Sequence, residues 1–193
     1  DLDRMLPRML TVDYYAPGTR SRIQCLVQST YKTTPLPPAL NDLLLANPIP
    51  AGVSRFRVNK MTGPATGYFN QGRAPLEQQF SFNAWSSGMW ISTATGSTAA
   101  MKAAGGVIMD AKSPDLQYMV REHLVQQGHD ETLDLGHGFL AQDEMLSIRW
   151  NSQYGALFAD GAHMKHDLEL GDYIAIDGHA PPLQLFDAPP DEE

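Results

Sequence analysis

The chain holds a single cysteine, Cys25, among its 193 residues. No intrachain disulfide can form, and a reducing compartment is the simple reading. Long apolar runs are missing as well: none approaches the roughly 20 residues that a membrane-spanning helix needs. Positive charge is scarce, with 14 Lys and Arg against 22 Asp and Glu and a net charge of −8. That balance excludes a general binder of nucleic acid or anionic membrane, whose phosphates call for a positive surface. It leaves room for a local basic pocket that takes a small phosphorylated ligand. The opening residues, Asp1-Leu2-Asp3-Arg4-Met5-Leu6, lack the basic end and apolar stretch of a signal peptide. They read as an internal start. Cytoplasm is then the default location rather than an inference from any address.

What is present fits one globular domain with its own core, at 42% hydrophobic and 19% charged residues. Sixteen Gly and 14 Pro favour turns and β structure over a helical bundle. Leu2, Met5, Leu6 and Leu10 recur at helical spacing, with Pro7 in the first turn. Ile23-Gln24-Cys25-Leu26-Val27 reads as a strand, and residues 33–38 as a connection. Asn41 opens an apolar run closed by Pro48 and Pro50. Residues 53–58 alternate weakly and predict a strand, while 61–76 read as an exposed loop. Trp90-Ile91-Ser92 is β-prone and leads into a Gly-Ser-Thr turn. A short helix over 99–104 follows, with a Ser or Thr to cap it and Gly105 to stop it. Residues 116–127 suit strand or helix, and 126–138 a polar loop. Leu146-x-Ile148-x-Trp150 alternates as a strand. Residues 156–159 run into Asp160-Gly161, a hairpin signal. Residues 168–172 form another turn, before the strands Tyr173-Ile174-Ala175-Ile176 and Leu183-x-Leu185. The tail from Asp187 is acidic, Pro-rich and expected to fray. The sum is a mainly β, two-sheet, sandwich-like domain with short helices.

Residues 92–106 carry the chemistry. A strand ends in a Gly/Ser/Thr turn and a helix begins at once, so free amides at the helix start can meet phosphate or ribose oxygens. Gly96 permits close approach to the backbone. Ser97 and Thr98 add hydroxyls that donate and accept. Small Ala99 and Ala100 leave space for a flat ring. The Gly-Lys-Ser/Thr ending of a Walker A loop is missing, and so is a Gly-x-Ser-x-Gly elbow. On physics alone the segment reads equally as an ordinary capped helix with small packing residues.

A resemblance narrows that choice. Ser92-Thr93-Ala94-Thr95-Gly96-Ser97-Thr98-Ala99 with Ala104-Gly105-Gly106 resembles the signature of the NAD kinase family. Three more segments match in the same order. Asn41-Asp42 resembles the family's Asn-Glu/Asp pair, Asp160-Gly161 its Asp-Gly turn, and Gly171-Asp172-Tyr173-Ile174 with Leu183-Gln184-Leu185 its closing strands. Departures accompany the match. Ala94 stands for a usual Pro, and Ala100 for a Tyr that packs near adenine in the family. Ser86-Ser87-Gly88 stands where many members have Gly-Asp-Gly, whose Asp reaches the nicotinamide ribose. This combination is most similar to the plant-type NADH kinase branch.

The resemblance implies ATP-dependent phosphorylation of the adenosine ribose 2′-hydroxyl of NAD or NADH, with ATP and Mg²⁺ taking part. It implies that Asn41, Asp42, Thr93, Gly96, Ser97, Thr98, Ala99 and Asp160 form the dinucleotide site, and that the protein is a homodimer or higher homo-oligomer. The family's catalytic Asp lies in a Gly-Gly-Asp-Gly motif, which residues 1–193 do not contain. The resemblance therefore puts the catalytic group, and most of the α/β ATP-binding domain, outside this chain. It divides the chain into an interdomain helix/strand remnant (1–38), an all-β dinucleotide-binding domain (39–186) and a disordered acidic tail (187–193).

Plainer readings stand beside these. Asn41 caps a turn, Asp42 is a solvated strand-edge charge, and Asp160 is the residue that Asp-Gly hairpins favour. His163 and His166 lack an obvious third ligand and read as surface histidines, with no metal assigned. Arg55, Arg57 and Lys102 read as solvated charge. The competing functions are a non-catalytic dinucleotide-binding or assembly domain and a related diacylglycerol kinase-like lipid kinase.

Overall fold

A computed structural model describes residues 18–63, 76–124 and 132–185. The helix expected around Leu2 to Leu10 and the acidic tail lie outside the described residues.

Fourteen strands make up most of the described fold. They are β1 (Gly18–Arg20), β2 (Gln24–Gln28), β3 (Thr33–Pro35), β4 (Asp42–Ala46), β5 (Ser54–Thr62), β6 (Glu77–Ser86), β7 (Gly88–Ser92), β8 (Leu116–Arg121), β9 (His137–Leu140), β10 (Glu144–Trp150), β11 (Tyr154–Ala159), β12 (Met164–Glu169), β13 (Tyr173–Asp177) and β14 (Leu183–Leu185). The first sheet has the order β3-β2-β13-β10-β5-β6, the second β12-β11-β4-β7-β8-β9, and β1 pairs with β14 alone. Two single-turn helices, α1 (Ala100–Ala103) and α2 (Thr132–Leu135), complete the described elements, with a 3₁₀ turn at Gly96–Thr98.

Period-two alternation builds the core. In β5, Ser54, Phe56 and Val58 are buried while Arg55 and Arg57 are exposed, as expected of a strand segment with one face packed and one wet. Phe56, Ile148, Trp150 and Ile174 from the first sheet meet Leu43, Leu45, Met89 and Ile91 from the second in one cluster. Phe56 and Trp150 stack with ring centres 5.9 Å apart. Each fully buried large side chain contributes about 1.5–3 kcal/mol, so this shared core holds the sheets together.

The two-sheet expectation holds, and several local expectations change. Residues 33–35 form an edge strand on β2 rather than a plain connection. Of the loop expected over 61–76, residues 61 and 62 belong to β5, with Thr62 opposite Glu144, and 64–75 lie outside the described residues. Of the stretch 116–127, residues 116–121 form strand β8, and 125–127 lie outside the described residues. The expected loop 126–138 contains α2 and the start of β9. Strands β6 and β12 had no counterpart in the sequence reading. The boundary expected at residue 39 falls within the sandwich: β2, from the segment before it, lies between β3 and β13. No helix among the described residues is long and apolar enough to cross a membrane.

Candidate functional site

Three strand ends meet at one end of the second sheet, in its interior strands β11, β4 and β7. Asp42 at the start of β4 lies opposite Ser92 at the end of β7. Leu43 lies opposite Ala159, the last residue of β11. Asp160 is thereby set beside Asp42, and its N–H donates to the Asp42 carbonyl at 3.0 Å.

Asp160 occupies the hairpin turn with φ 51°, followed by Gly161 at φ 107°. Asp tolerates that left-handed region better than most residues. Its carboxylate accepts three backbone N–H groups: Leu40 at 2.7 Å, Asn41 at 2.7 Å and Asp42 at 3.2 Å. The hairpin reading of Asp160 and a role at the site are therefore joined in one residue, which clamps the Asn41-Asp42 backbone.

Residues of the Gly/Ser/Thr turn hold the same segment from the other side. The Thr93 N–H donates to the Asn41 carbonyl at 2.9 Å. Thr93 Oγ1 donates to the Leu40 carbonyl at 2.6 Å and accepts from the Gly96 N–H at 3.2 Å. A Cβ on Gly96 would sit 2.0 Å from the Asn41 carbonyl oxygen, so only glycine fits against that backbone. Ser97 Oγ donates to the Ala94 carbonyl at 2.7 Å and accepts from the Met109 N–H at 3.0 Å. The expected Ser/Thr helix cap is not formed: neither the 3₁₀ turn nor α1 has a side-chain cap. The hydroxyls are instead spent on loop closure. Gly105 (φ 98°) stops α1, and Gly106 lets the chain pack on Met101 and Gln117, whose Oε1 would lie 2.4 Å from an added Cβ.

The predicted site residues thus divide into two groups. Thr93, Gly96, Ser97 and Asp160 turn inward and build the loop. Thr98 and Ala99 are exposed, and Asn41 and Asp42 are half-buried. Among the described residues, no hydrogen bond uses the side chain of Asn41 or Asp42. Burial, and then the nearby charge of Asp160, raises the Asp42 pKa above the usual carboxylate range.

Asp42 borders a cleft of about 280 Å³ lined also by Leu44, Trp90, Phe158, Gly161 and Ala162. Leu44 lies opposite Trp90 on one side and Phe158 on the other, which makes a continuous apolar shelf. The sequence reading missed Leu44, Trp90 and Phe158. The signal was there: Leu44 lies two residues from Asp42, Phe158 two from Asp160, and Trp90 two from Ser92, the strand end before the Gly/Ser/Thr turn, and alternation returns each to the same face. Ser86-Ser87-Gly88 sits at the opposite end of β7 from Ser92, about 15 Å along a strand of this length. Ser87 hydrogen-bonds Glu122, so within one protomer it does not face the Asp42 cleft. No three His, Cys, Asp or Glu side chains among the described residues cluster to hold a metal ion.

No protein-family model matches the chain. A rice (Oryza sativa subsp. japonica) protein named "Probable NADH kinase" is 38% identical over 148 residues, covering 77% of this chain and 42% of that protein. An Arabidopsis thaliana NADH kinase is 42% identical over 104 residues, covering 54% of this chain and 32% of that protein. The matches thus span less than half the length of either relative. The crystal structure of yeast NADH kinase complexed with NADH superposes with a TM-score of 0.63 over 84% of this chain and 41% of that one. At 18% identity this last likeness shows the fold.

Proposed function

The chain belongs to the NAD kinase family, on the plant-type NADH kinase branch, and from that premise we propose that it is the dinucleotide-binding part of an NAD(H) kinase. The reaction is ATP-dependent phosphorylation of the adenosine ribose 2′-hydroxyl of NAD or NADH, giving NADP(H). One observation carries this reading. Asp160 and Thr93, distant in sequence, grip the backbone of Asn41 and Asp42 and leave both side chains unspent beside an apolar shelf.

Such an arrangement suits a planar base with polar edges. Leu44, Trp90 and Phe158 offer it apolar and aromatic surface. Asn41 offers a donor and an acceptor, and Asp42 an acceptor or, when protonated, a donor. Exposed Thr98 and Ala99 face the rest of the ligand. Thr93, Gly96, Ser97 and Asp160 act one step back, by fixing the backbone from which the contacts are made. Phosphoryl transfer is largely positioning and charge stabilisation, and this chain supplies positioning of the acceptor. On the same reading, holding ATP and Mg²⁺ and accepting the hydroxyl proton fall to the Gly-Gly-Asp-Gly part of the family's plan, a motif that residues 1–193 do not contain. Assembly as a homodimer or higher homo-oligomer goes with the same reading.

Incubating the complete gene product with ATP, Mg²⁺ and either NAD or NADH tests the activity. The reading predicts NADP or NADPH carrying the new phosphate on the ribose 2′-oxygen. Formation of neither would sink it.

A further inference from the structure

The outer face of the first sheet carries three arginines that the dinucleotide reading does not use. Arg55 and Arg57 project from β5 on the face opposite buried Ser54, Phe56 and Val58. Arg149 in β10 stands directly across from Arg57. Aromatic rings flank the group. The Arg55 guanidinium lies 4.8 Å from the Trp85 ring centre, and that of Arg149 5.5 Å from Tyr173. Arg57 donates from Nε to Ser81 Oγ at 2.8 Å. The ion pairs among the described residues are Lys60–Glu144, Arg121–Glu122, Lys165–Asp167 and His179–Asp177, so none of the three arginines is neutralised there.

Like charges directly opposite each other on paired strands are destabilising. In a chain of net charge −8, carboxylates are plentiful, yet none of the described ones forms an ion pair with these arginines. The guanidiniums are instead held in place by rings and a hydroxyl. That leaves planar donor forks oriented toward solvent, which suit phosphate oxygens. Spacing narrows the ligand class. The Cα atoms of cross-strand neighbours lie about 5 Å apart and those of same-face neighbours along a strand about 7 Å, so the three forks can engage more than one anionic group at once. At Arg55 the stripe opens into a cleft of about 390 Å³, lined also by Asn47, Asn151, Gln153 and Tyr154.

We propose that this face binds a small ligand bearing a chain of phosphates, with the arginines on the phosphates and the cleft on whatever the chain is attached to. The site lies on the other sheet from the Asp42 cleft and does not depend on the kinase reading. A compact ligand also agrees with the net charge, which opposes long polyanions but not a local basic stripe.

Calorimetric titration of the chain with inorganic tripolyphosphate at about 0.1 M salt tests the site, since surface electrostatics are screened there. The wild type binds one equivalent. Arg57→Met and Arg149→Met each weaken binding about tenfold, Arg57→Lys falls between, and Lys165→Gln on the other sheet changes nothing. Both Met variants melt no lower than the wild type without ligand, because the Arg57–Arg149 repulsion is gone, so weaker binding is not lost folding. A parallel titration with cytidine triphosphate separates the sources. Tighter binding that Tyr154→Ala removes assigns the cleft to an attached base, whereas equal binding assigns a free phosphate chain. No binding by the wild type, or equal binding by the wild type and Arg57→Met/Arg149→Met, would overturn the proposal.

Discussion

At the scale of single residues, the site separates side chains that hold from side chains that remain free. Asp160 accepts from three backbone N–H groups and Thr93 both donates and accepts. Such charge-assisted and buried bonds are costly to break. Asp42 is different: it has no side-chain partner among the described residues, and burial with the charge of Asp160 raises its pKa. A carboxyl whose pKa rises on folding binds its proton more readily in the folded chain. Its contribution is full below the unfolded carboxylate pKa and is lost as pH rises through the folded one. Asp42→Asn removes this dependence. In urea melts the variant therefore gains stability relative to the wild type as pH climbs through the carboxylate range, and the gain levels off above it. An unchanged difference between acid and neutral pH would show that Asp42 is not held in a charge-averse place. The sequence singled these residues out by type and order. It could not divide them into holding and free groups, because that depends on which way each side chain turns.

At the scale of elements, glycines mark where loops touch other backbone. Gly96 abuts the Asn41 carbonyl, whereas Gly106 abuts the ends of the Gln117 and Met101 side chains. Backbone cannot yield as side-chain tips can. Gly96→Ala is expected to cost about 3 kcal/mol and Gly106→Ala about 1 kcal/mol, read as the difference in urea midpoints. Equal losses would mean that the turn is not pinned to β4. Alternation made β10 legible, while the turn signals Asp160-Gly161 and Gly171-Asp172 made the apolar runs of β11 and β13 legible. Strand β6 was hidden because Gln, Ser and Asn fill its outer positions, though Phe80-x-Phe82-x-Ala84 alternates. Strand β12 was hidden because it is an edge strand, Met-Lys-His-Asp-Leu-Glu, burying only Leu168. Charge on an edge guards it against further pairing and erases the hydrophobic signal.

At the scale of the whole molecule, the antiparallel sandwich explains how segments 120 residues apart share one cleft: β4 lies between β7 and β11, so their ends converge. The same architecture puts the Asp42 cleft on one sheet and the arginine stripe on the other. Fold class was legible from turn residues and alternation alone, while the cleft needed the strand order, which no local pattern states. The central claim is that the Asn41-Asp42 cleft takes a dinucleotide, and Trp90 in its lining provides the reporter. Titrating this chain with NADH while following tryptophan emission tests it most directly. The account predicts saturable quenching, with Asn41→Ala weakening binding by about 1–3 kcal/mol. Emission that does not saturate, or an affinity that Asn41→Ala leaves untouched, would contradict it.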